Sequence, residues 1–431
     1  MILENDNLFN SYLERTFYKK WKNIQSESLT NYSSLELIIN GRCDLHCKYC
    51  YVTKNHNNLF TKESEDETNI KNNLKMVLDW LTLNKFNPHI NLFSGELFSQ
   101  DIGIYVLEEV IKWAPPNAVI VIPTNMNFLL DETRTNYIIN IINNAKKKLV
   151  HIGLSASVDG VYMEDNRPFI NKSLRRTEEF YDKLFKMIKN YNGGFHPMVY
   201  SNEIDKWIEN FLWFQDNFEK YDIPYENIYL LEVRNKEWTI EQCKKFSEFL
   251  EFLVEWVWNK CNKNTSEFTN FLFKKKGFNI LSTWLTTIGR GLGCSIQNTI
   301  QLRLGDLSIV DCHRLSYNHA IAGTFRTDGN KIISLEAKNL ELYLAIQTLD
   351  GKCLPGCEVC IIKDLCGYGC LGSQYEATGD QFSPIPSVCR LEHFKIKTFI
   401  NAFNKIGVLP SILGLVQNNK IKSIKLVMEE L

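Results

Sequence analysis

Six short runs of β-branched and aliphatic residues punctuate the first 235 positions: LELIIN (35–40), HINLFS (89–94), AVIVIP (118–123), VHIGLSAS (150–157), FHPMVY (195–200) and IYLLEV (228–233). Runs of this length and makeup predict strands. Between them, apolar residues recur at helical spacing over 66–84, 101–113, 132–147, 172–191 and 203–219. Strand alternating with helix predicts an α/β fold with βαβ units, a parallel sheet and right-handed crossovers. Six units fall short of the eight of a closed barrel, so the pattern predicts an open, partial (βα)6 barrel. In such sheets functional residues gather at the C-terminal ends of the strands.

The polar residues obey that rule. The first run leads into GRCDLHCKYC, the second into Ser94-Gly95-Glu96, and the third into Thr124-Asn125. The fourth carries Ser155, Ser157, Asp159 and Gly160, and the sixth ends at Glu232-Val233-Arg234-Asn235. Five of the six strand ends therefore carry chemistry toward one rim.

Beyond residue 238 the pattern changes. TIEQCKKFSEFLEFLVEWVWNKC (239–261) reads as one helix, opened by the capping-box pair Thr239 and Gln242. Its apolar stripe runs through Cys243, Phe246, Leu250, Leu253, Val257 and Cys261, which predicts two core thiols. Residues 290–390 are punctuated by glycine and dense in cysteine, which predicts a second domain built around metal. The last forty residues read as helical, with a break at 407–410. The expected organisation is an N-terminal extension (1–34), the partial barrel (35–235), a helical linker (236–290), a cysteine-rich domain (291–390) and a C-terminal helical segment (391–431). No internal repeat of the solenoid or propeller kind is present.

Composition narrows the possibilities. The chain has 431 residues, 44% hydrophobic and 23% charged, with only 22 glycines and 11 prolines. That excludes low-complexity and fibrous classes. With 49 basic against 50 acidic residues, no global field attracts nucleic acid or an anionic membrane. No apolar run approaches the ~20 residues of a membrane helix, and MILENDNLFN lacks the apolar core of a secretory signal. A soluble, cytoplasmic protein is the expectation. Thirteen cysteines in a reducing compartment call for metal rather than disulfides.

Cys43, Cys47 and Cys50 form C-x3-C-x2-C on the loop after the first strand. Thiolates at this spacing suit an iron–sulfur cluster, whereas zinc wants four ligands. Three cysteines on a four-iron cubane leave one iron open. Tyr49 can pack beside whatever binds there. Further on, Cys357, Cys360, Cys366 and Cys370 give C-x2-C-x5-C-x3-C, followed by Cys389 and preceded by Cys294 and Cys312.

The first loop resembles the signature of the radical S-adenosylmethionine (SAM) enzymes. The resemblance implies SAM chelating the open iron and a 5'-deoxyadenosyl radical formed by one-electron cleavage. Ser94-Gly95-Glu96-Leu97 is similar to that family's Gly-Gly-Glu-Pro segment but departs at its first and last positions; Glu96 is the residue that can answer the SAM amine. Ser157-Val158-Asp159-Gly160 is similar to a strand-four motif near the SAM ribose and carboxylate. Arg167 could hold the carboxylate, and Asn125 a ribose hydroxyl.

The C-terminal spacing resembles the SPASM domain of enzymes that modify peptides and proteins. It implies two auxiliary 4Fe–4S clusters, three in all. Cys357, Cys360, Cys366 and Cys389 would hold the outer one. Cys294, Cys312 and Cys370 would hold the inner one, which is left a ligand short. The segments YLLEVRNKEW (229–238), GCSIQ (293–297), RLGDL (303–307), CHRLSY (312–317) and GCLGSQYE (369–376) resemble the maturases of cysteine-rich ribosomal peptides. That resemblance implies thioether bonds from Cys sulfur to carbon. Other products on the same scaffold are carbon–carbon crosslinks, epimerisation or sulfatase-type oxidation; a non-catalytic iron–sulfur carrier is the remaining alternative.

The implied partners are a Cys-rich precursor peptide with a leader and a flavodoxin- or ferredoxin-type electron donor. The first thirty-four residues are too few for a winged-helix leader-binding domain, so the leader binds elsewhere on the chain or on a separate protein. Asp306, Asp311 and Glu232 are the candidate general bases.

Overall fold

The computed structural model describes residues 34–83, 89–273, 278–286, 296 and 299–430. Cys294, residues 1–33 of the expected extension and most of the GCSIQ segment lie outside them. The described residues of 34–157, 168–193 and 296–348 form one compact unit, and those of 158–167, 194–286 and 349–430 form a second.

The strands in chain order are β1 (Ser34–Ile38), β2 (His89–Phe93), β3 (Val119–Thr124), β4 (His151–Ala156), β5 (Gly194–Phe195), β6 (Met198–Val199), β7 (Leu231–Glu232), β8 (Thr299–Arg303), β9 (Ser308–Val310), β10 (Ile321–Asp328) and β11 (Lys331–Ala337). In the first unit they form a sheet ordered β11-β10-β9-β8-β1-β2-β3-β4. The five strands from β8 to β4 pair in parallel, β1 lying between β8 and β2. The last three strands add antiparallel pairs. This is an α/β fold with a parallel core, and β1 to β4 stand where the hydrophobic runs predicted them. Leu37, Ile38, Ile90, Leu92, Ile120 and Ile122 are all fully buried, and in β2 and β3 buried positions alternate with more exposed ones, as strands with one packed face do.

Two of the crossover helices start at side-chain caps. Asp101–Trp113 and Glu132–Lys147 have the predicted bounds, and Asp131 caps the second by accepting from Arg134 N. The stretch expected over 172–191 is helical only at Glu178–Asn190, because Thr177 accepts from Phe180 N and starts the helix there. Trp207–Lys220 likewise begins four residues late, after a 3-10 segment, Ser201–Lys206. Lys148 donates from Nζ to Ile111 O (2.8 Å) and Lys112 O (2.7 Å), so this lysine is spent on a helix C-terminus.

Two expectations differ in the second unit. The run 195–200 is two short strands around His196-Pro197, because proline has no N–H for the ladder. Its partner 228–233 is correspondingly reduced to β7 and a bridge from Ile228 to Phe195. A third difference lies in the first unit. Residues 299–337, expected within the cysteine-rich domain, extend the sheet from the β1 edge. The run TIQLRL reads poorly as a buried strand because of Arg303. That residue is only 1% exposed, yet its guanidinium is satisfied by Asp306 and by the carbonyls of Leu59 and Ser316.

The helix Ile240–Lys260 has the predicted capping box, and its stripe packs against the helix Pro386–Lys405. That second helix runs through residue 390, where a boundary between segments was expected. The break near the C-terminus is Gly407, held at φ +77, a conformation that glycine adopts without a Cβ penalty. Among the described residues no helix is long and apolar enough to cross a membrane.

Cys243 and Cys261 are 0% and 5% exposed on the helical core stripe. Cys243→Ala is expected to lower stability by about 1 kcal/mol, the scale of losing a small buried group. Iron bound per chain should not change; a fall in iron would place this thiol among the ligands.

Candidate functional site

The site grows from the C-terminal end of β1. Beyond β1, Ile39 N donates to Phe93 O, Gly95 N to Asn40 O, and Glu96 N to Arg42 O. The segment after β2 thus runs against the approach to Cys43. The two chains are so close that a Cβ on residue 95 would lie 2.3 Å from Arg42 O, which only glycine permits. Ser94 Oγ donates to Asn40 Oδ1 (3.0 Å), and Gln100 Nε2 donates to Arg42 O (2.8 Å).

Glu96 is turned inward and 3% exposed. Its Oε1 accepts from Thr124 Oγ1 (2.8 Å) and Phe98 N (3.1 Å), and its Oε2 from Asn125 N (2.6 Å). Burial pushes its carboxyl up to about 7; the hydrogen bonds oppose this and nearby Asp44 adds to it. The side chain of Asn125 donates to Asp44 Oδ1 (2.6 Å) and accepts from Asn127 N (2.9 Å). Both ends of the amide expected on a ribose are therefore engaged within the protein. Asn127 donates to Asp44 Oδ2 (2.8 Å) and accepts from Arg176 Nε (3.2 Å). Asp44, Asn127 and Arg176 went unnoticed in the sequence; the only local signal was the polar run after β3.

The three thiols are half-buried on this loop. Cys43 Sγ accepts from Leu45 N (3.4 Å), and Cys50 Sγ accepts from Thr53 N (3.5 Å), capping the helix Tyr51–Leu59. Burial pushes the Cys43 thiol far up, and Glu96 and Cys47 add to the shift. Such a thiol ionises when a cation supplies the missing charge, so the donor set fits an iron–sulfur cluster. Tyr49 is buried at 8% exposure. The far side of the loop is held by His46 N to Pro168 O (2.8 Å) and Ile170 N to Asp44 O (3.0 Å).

The second cysteine loop of this unit comes close to the first. Cys312 caps a 3-10 turn, accepting from Arg314 N. His313 stacks on Phe93 (4.4 Å between centroids) and on Tyr51 (5.8 Å), and its Nδ1 lies 2.7 Å from Glu36 Oε1. Arg314 lies over the Tyr51 ring at 4.6 Å. The neighbours of Cys50 and of Cys312 therefore touch.

In the second unit Asp159 is 2% exposed, and its Oδ1 is 2.9 Å from Arg167 Nη2 and 2.8 Å from Met198 N. The two residues expected near SAM are thus paired with each other. Ser157, in the first unit, donates its N–H to Thr124 O (2.7 Å). Among the described residues no three His, Cys, Asp or Glu side chains are gathered as a single metal ion would need.

The C-terminal thiols surround a cavity instead. Cys357, Cys366, Cys370 and Cys389 line it together with Arg234, Ser373, Gln374 and Glu392. Ser373 Oγ and both amide atoms of Gln374 are buried there without hydrogen-bond partners. Orphaned polar atoms beside four thiols fit a bound iron–sulfur group. Cys370, expected on the inner cluster, shares this cavity. Cys360, expected on the outer one, has its Sγ 3.3 Å from His393 Nε2.

Two of the three candidate general bases are tied in ion pairs. Asp306 grips Arg303 Nη2 at 2.6 Å. Glu232 is held by Lys395 (2.9 Å), and the Lys395 and Arg234 charges bring its carboxyl down to about 2 despite burial. Asp311 is 1% exposed.

Two solved structures of anSMEcpe with bound AdoMet share this fold. The histidine-tagged protein aligns at a TM-score of 0.56 and 15% identity, over 91% of this chain and 98% of that chain. The native protein aligns at 0.55 and 16%, over 88% and 98%. Streptococcus suis SuiB aligns at 0.46 and 14%, over 86% of this chain and 80% of that chain. No protein-family model and no curated protein matches the chain.

The Glu96 carboxyl sets a pH dependence. Its folded value of about 7 lies above the ordinary 4.5, so between them the unfolded chain holds fewer protons. The contribution of Glu96 to the stability of the metal-free protein should therefore be fully present below about 4.5 and be lost as pH rises toward 7. Glu96→Gln should flatten that window by up to about 1.4 kcal/mol per pH unit in urea melts. Parallel curves for the two proteins would contradict the assignment.

Proposed function

We propose that this protein is a radical SAM enzyme that modifies a ribosomal precursor peptide, forming thioether bonds from Cys sulfur to a carbon of another residue. The observation that carries the reading is the loop of Cys43, Cys47 and Cys50. It sits at the end of a parallel strand, against a rim built from Glu96 and Asn125, in a fold shared with an AdoMet-bound protein. AdoMet is SAM. A 4Fe–4S cluster and SAM, when bound, supply one-electron reduction and hydrogen-atom abstraction.

This chain's residues would do the rest. Cys43, Cys47 and Cys50 would hold three irons. Glu96, ionising when an amine meets it, would orient SAM, and Ser94 and Gly95 would keep that backbone against the loop. Asp159 would fix the guanidinium of Arg167. Tyr49 would close one side. The C-terminal cysteines would hold auxiliary clusters that take up the surplus electron. Asp306 and Glu232 are tied in ion pairs, so the peptide thiol would lose its proton elsewhere, which favours metal-assisted ionisation at a cluster.

Sulfur-to-carbon bond formation replaces one S–H and one C–H by S–C. The peptide therefore loses two hydrogens per crosslink. The partners follow from this chemistry: a Cys-rich peptide with a leader, bound by this chain or by a separate leader-binding protein, and a flavodoxin- or ferredoxin-type electron donor.

The test is anaerobic. The protein is reconstituted with iron and sulfide and given SAM, reductant and the Cys-rich peptide encoded beside its gene. Mass spectrometry before and after thiol alkylation should show two hydrogens lost per event and one alkylatable thiol lost with them. Cys43→Ala should abolish SAM cleavage. Two hydrogens lost with all thiols free would mean carbon–carbon crosslinking, and no mass loss but deuterium uptake from heavy water would mean epimerisation. SAM left intact would sink the radical reading.

A further inference from the structure

Four charges are buried together in the second unit. Lys395 Nζ lies 2.9 Å from Glu232 Oε1 and 2.7 Å from Glu392 Oε1. Arg234 Nη2 lies 3.2 Å from Glu392 Oε1 and 3.5 Å from Glu232 Oε2. Exposure is 3% for Glu232, 4% for Glu392, 7% for Lys395 and 18% for Arg234. Two acids and two bases cancel, but burying all four costs desolvation that apolar packing would avoid. The arrangement is explained if it aims one of its members.

Arg234 is the member so aimed. Its Nη1 donates to Gly369 O (3.2 Å), within the cysteine segment. Its Nε is buried and has no hydrogen-bond partner. The same side chain lines the cavity shared by Cys357, Cys366, Cys370 and Cys389. Both carboxylates hold Nη2, Gly369 O takes Nη1, and the Nε–H is left over on a side chain that lines the cavity of four thiols. The fixed planar fork of arginine permits this division.

Resting on the reading of these thiols as an iron–sulfur site, we propose that Arg234 is a positioning residue for the cluster held there. Its carboxylate-anchored guanidinium supplies a fixed positive charge and an N–H donor, and so raises the cluster's reduction potential. Reduction adds one electron and one negative charge to the cluster, so a nearby cation favours the reduced form. Hydrogen bonds to cluster sulfur act in the same direction. Glu232 and Glu392 hold the guanidinium, and Lys395 balances them.

The test uses full-length protein carrying Cys43→Ala, Cys47→Ala and Cys50→Ala, which leaves only the C-terminal clusters. It is reconstituted anaerobically and titrated electrochemically under EPR, with iron counted. Arg234→Gln should shift one midpoint potential downward at unchanged iron. Arg234→Lys keeps charge and loses the planar donor, so its downward shift should be smaller. Midpoints unmoved in both variants at full iron would overturn the proposal. If Arg234→Gln fails to fold, Arg234→Lys decides alone: a lowered midpoint supports the proposal and an unchanged one overturns it. A background protein that takes up no iron would instead overturn the iron–sulfur reading of these thiols. The two failures are thus told apart by the iron count.

Discussion

The desolvated carboxylate of Glu96 is the joint on which the first site depends. It follows β2, takes the hydroxyl of Thr124 at the end of β3, and takes the backbone of Asn125 one residue on. Asp44 repeats the device from within the cysteine loop, gathering the amides of Asn125 and Asn127. Burial above all, with the charge of Asp44 added, leaves Glu96 reluctant to ionise against the pull of its hydroxyl and amide donors. A group of that kind costs stability as it stands and regains it on meeting a cation.

The second unit handles charge differently. Asp159 is matched by Arg167, and Glu232 and Glu392 are matched by Lys395 and Arg234. Matched ions hold geometry rather than exchange protons, which is why Glu232, attractive as a base in the sequence, is held ionised.

What could be read from the sequence divides along the range of the interactions. The parallel strands β1 to β4, the helices after β2 and β3, the capping box at Thr239 and the core thiols Cys243 and Cys261 all arise from local pattern, and the structure has them. The late helix start at Glu178 was also local, in Thr177, but the apolar spacing masked it. Pro197 broke a strand that composition alone favoured. The network of Asp44, Asn127 and Arg176 joins three segments and has no local pattern. The contact of Arg234 with Glu392 spans 158 positions. Motif spacing named the thiols, but their grouping around one cavity depended on how the helix Pro386–Lys405 carries Cys389 to them.

The pairing of β8 with β1 shows what such long-range steps accomplish. Parallel strands cannot be joined by a tight turn, so this pair closes over most of the chain. The strand carries Arg303, buried and bound to Asp306, and the hairpin to β9 returns the chain along the sheet. That return sets Cys312 and His313 over Glu36 of β1 and Phe93 of β2, where His313 meets the ring of Tyr51. Tyr51 follows Cys50 directly. A strand pairing thus turns two cysteine motifs some 260 residues apart in sequence into neighbours across one stacked pair of rings. The cost of closing so long a loop grows only slowly with its length. The interactions that offset it are the buried ladder of β1 and β8 and the satisfied guanidinium of Arg303, so the site at Cys312 depends on residues that touch no thiol.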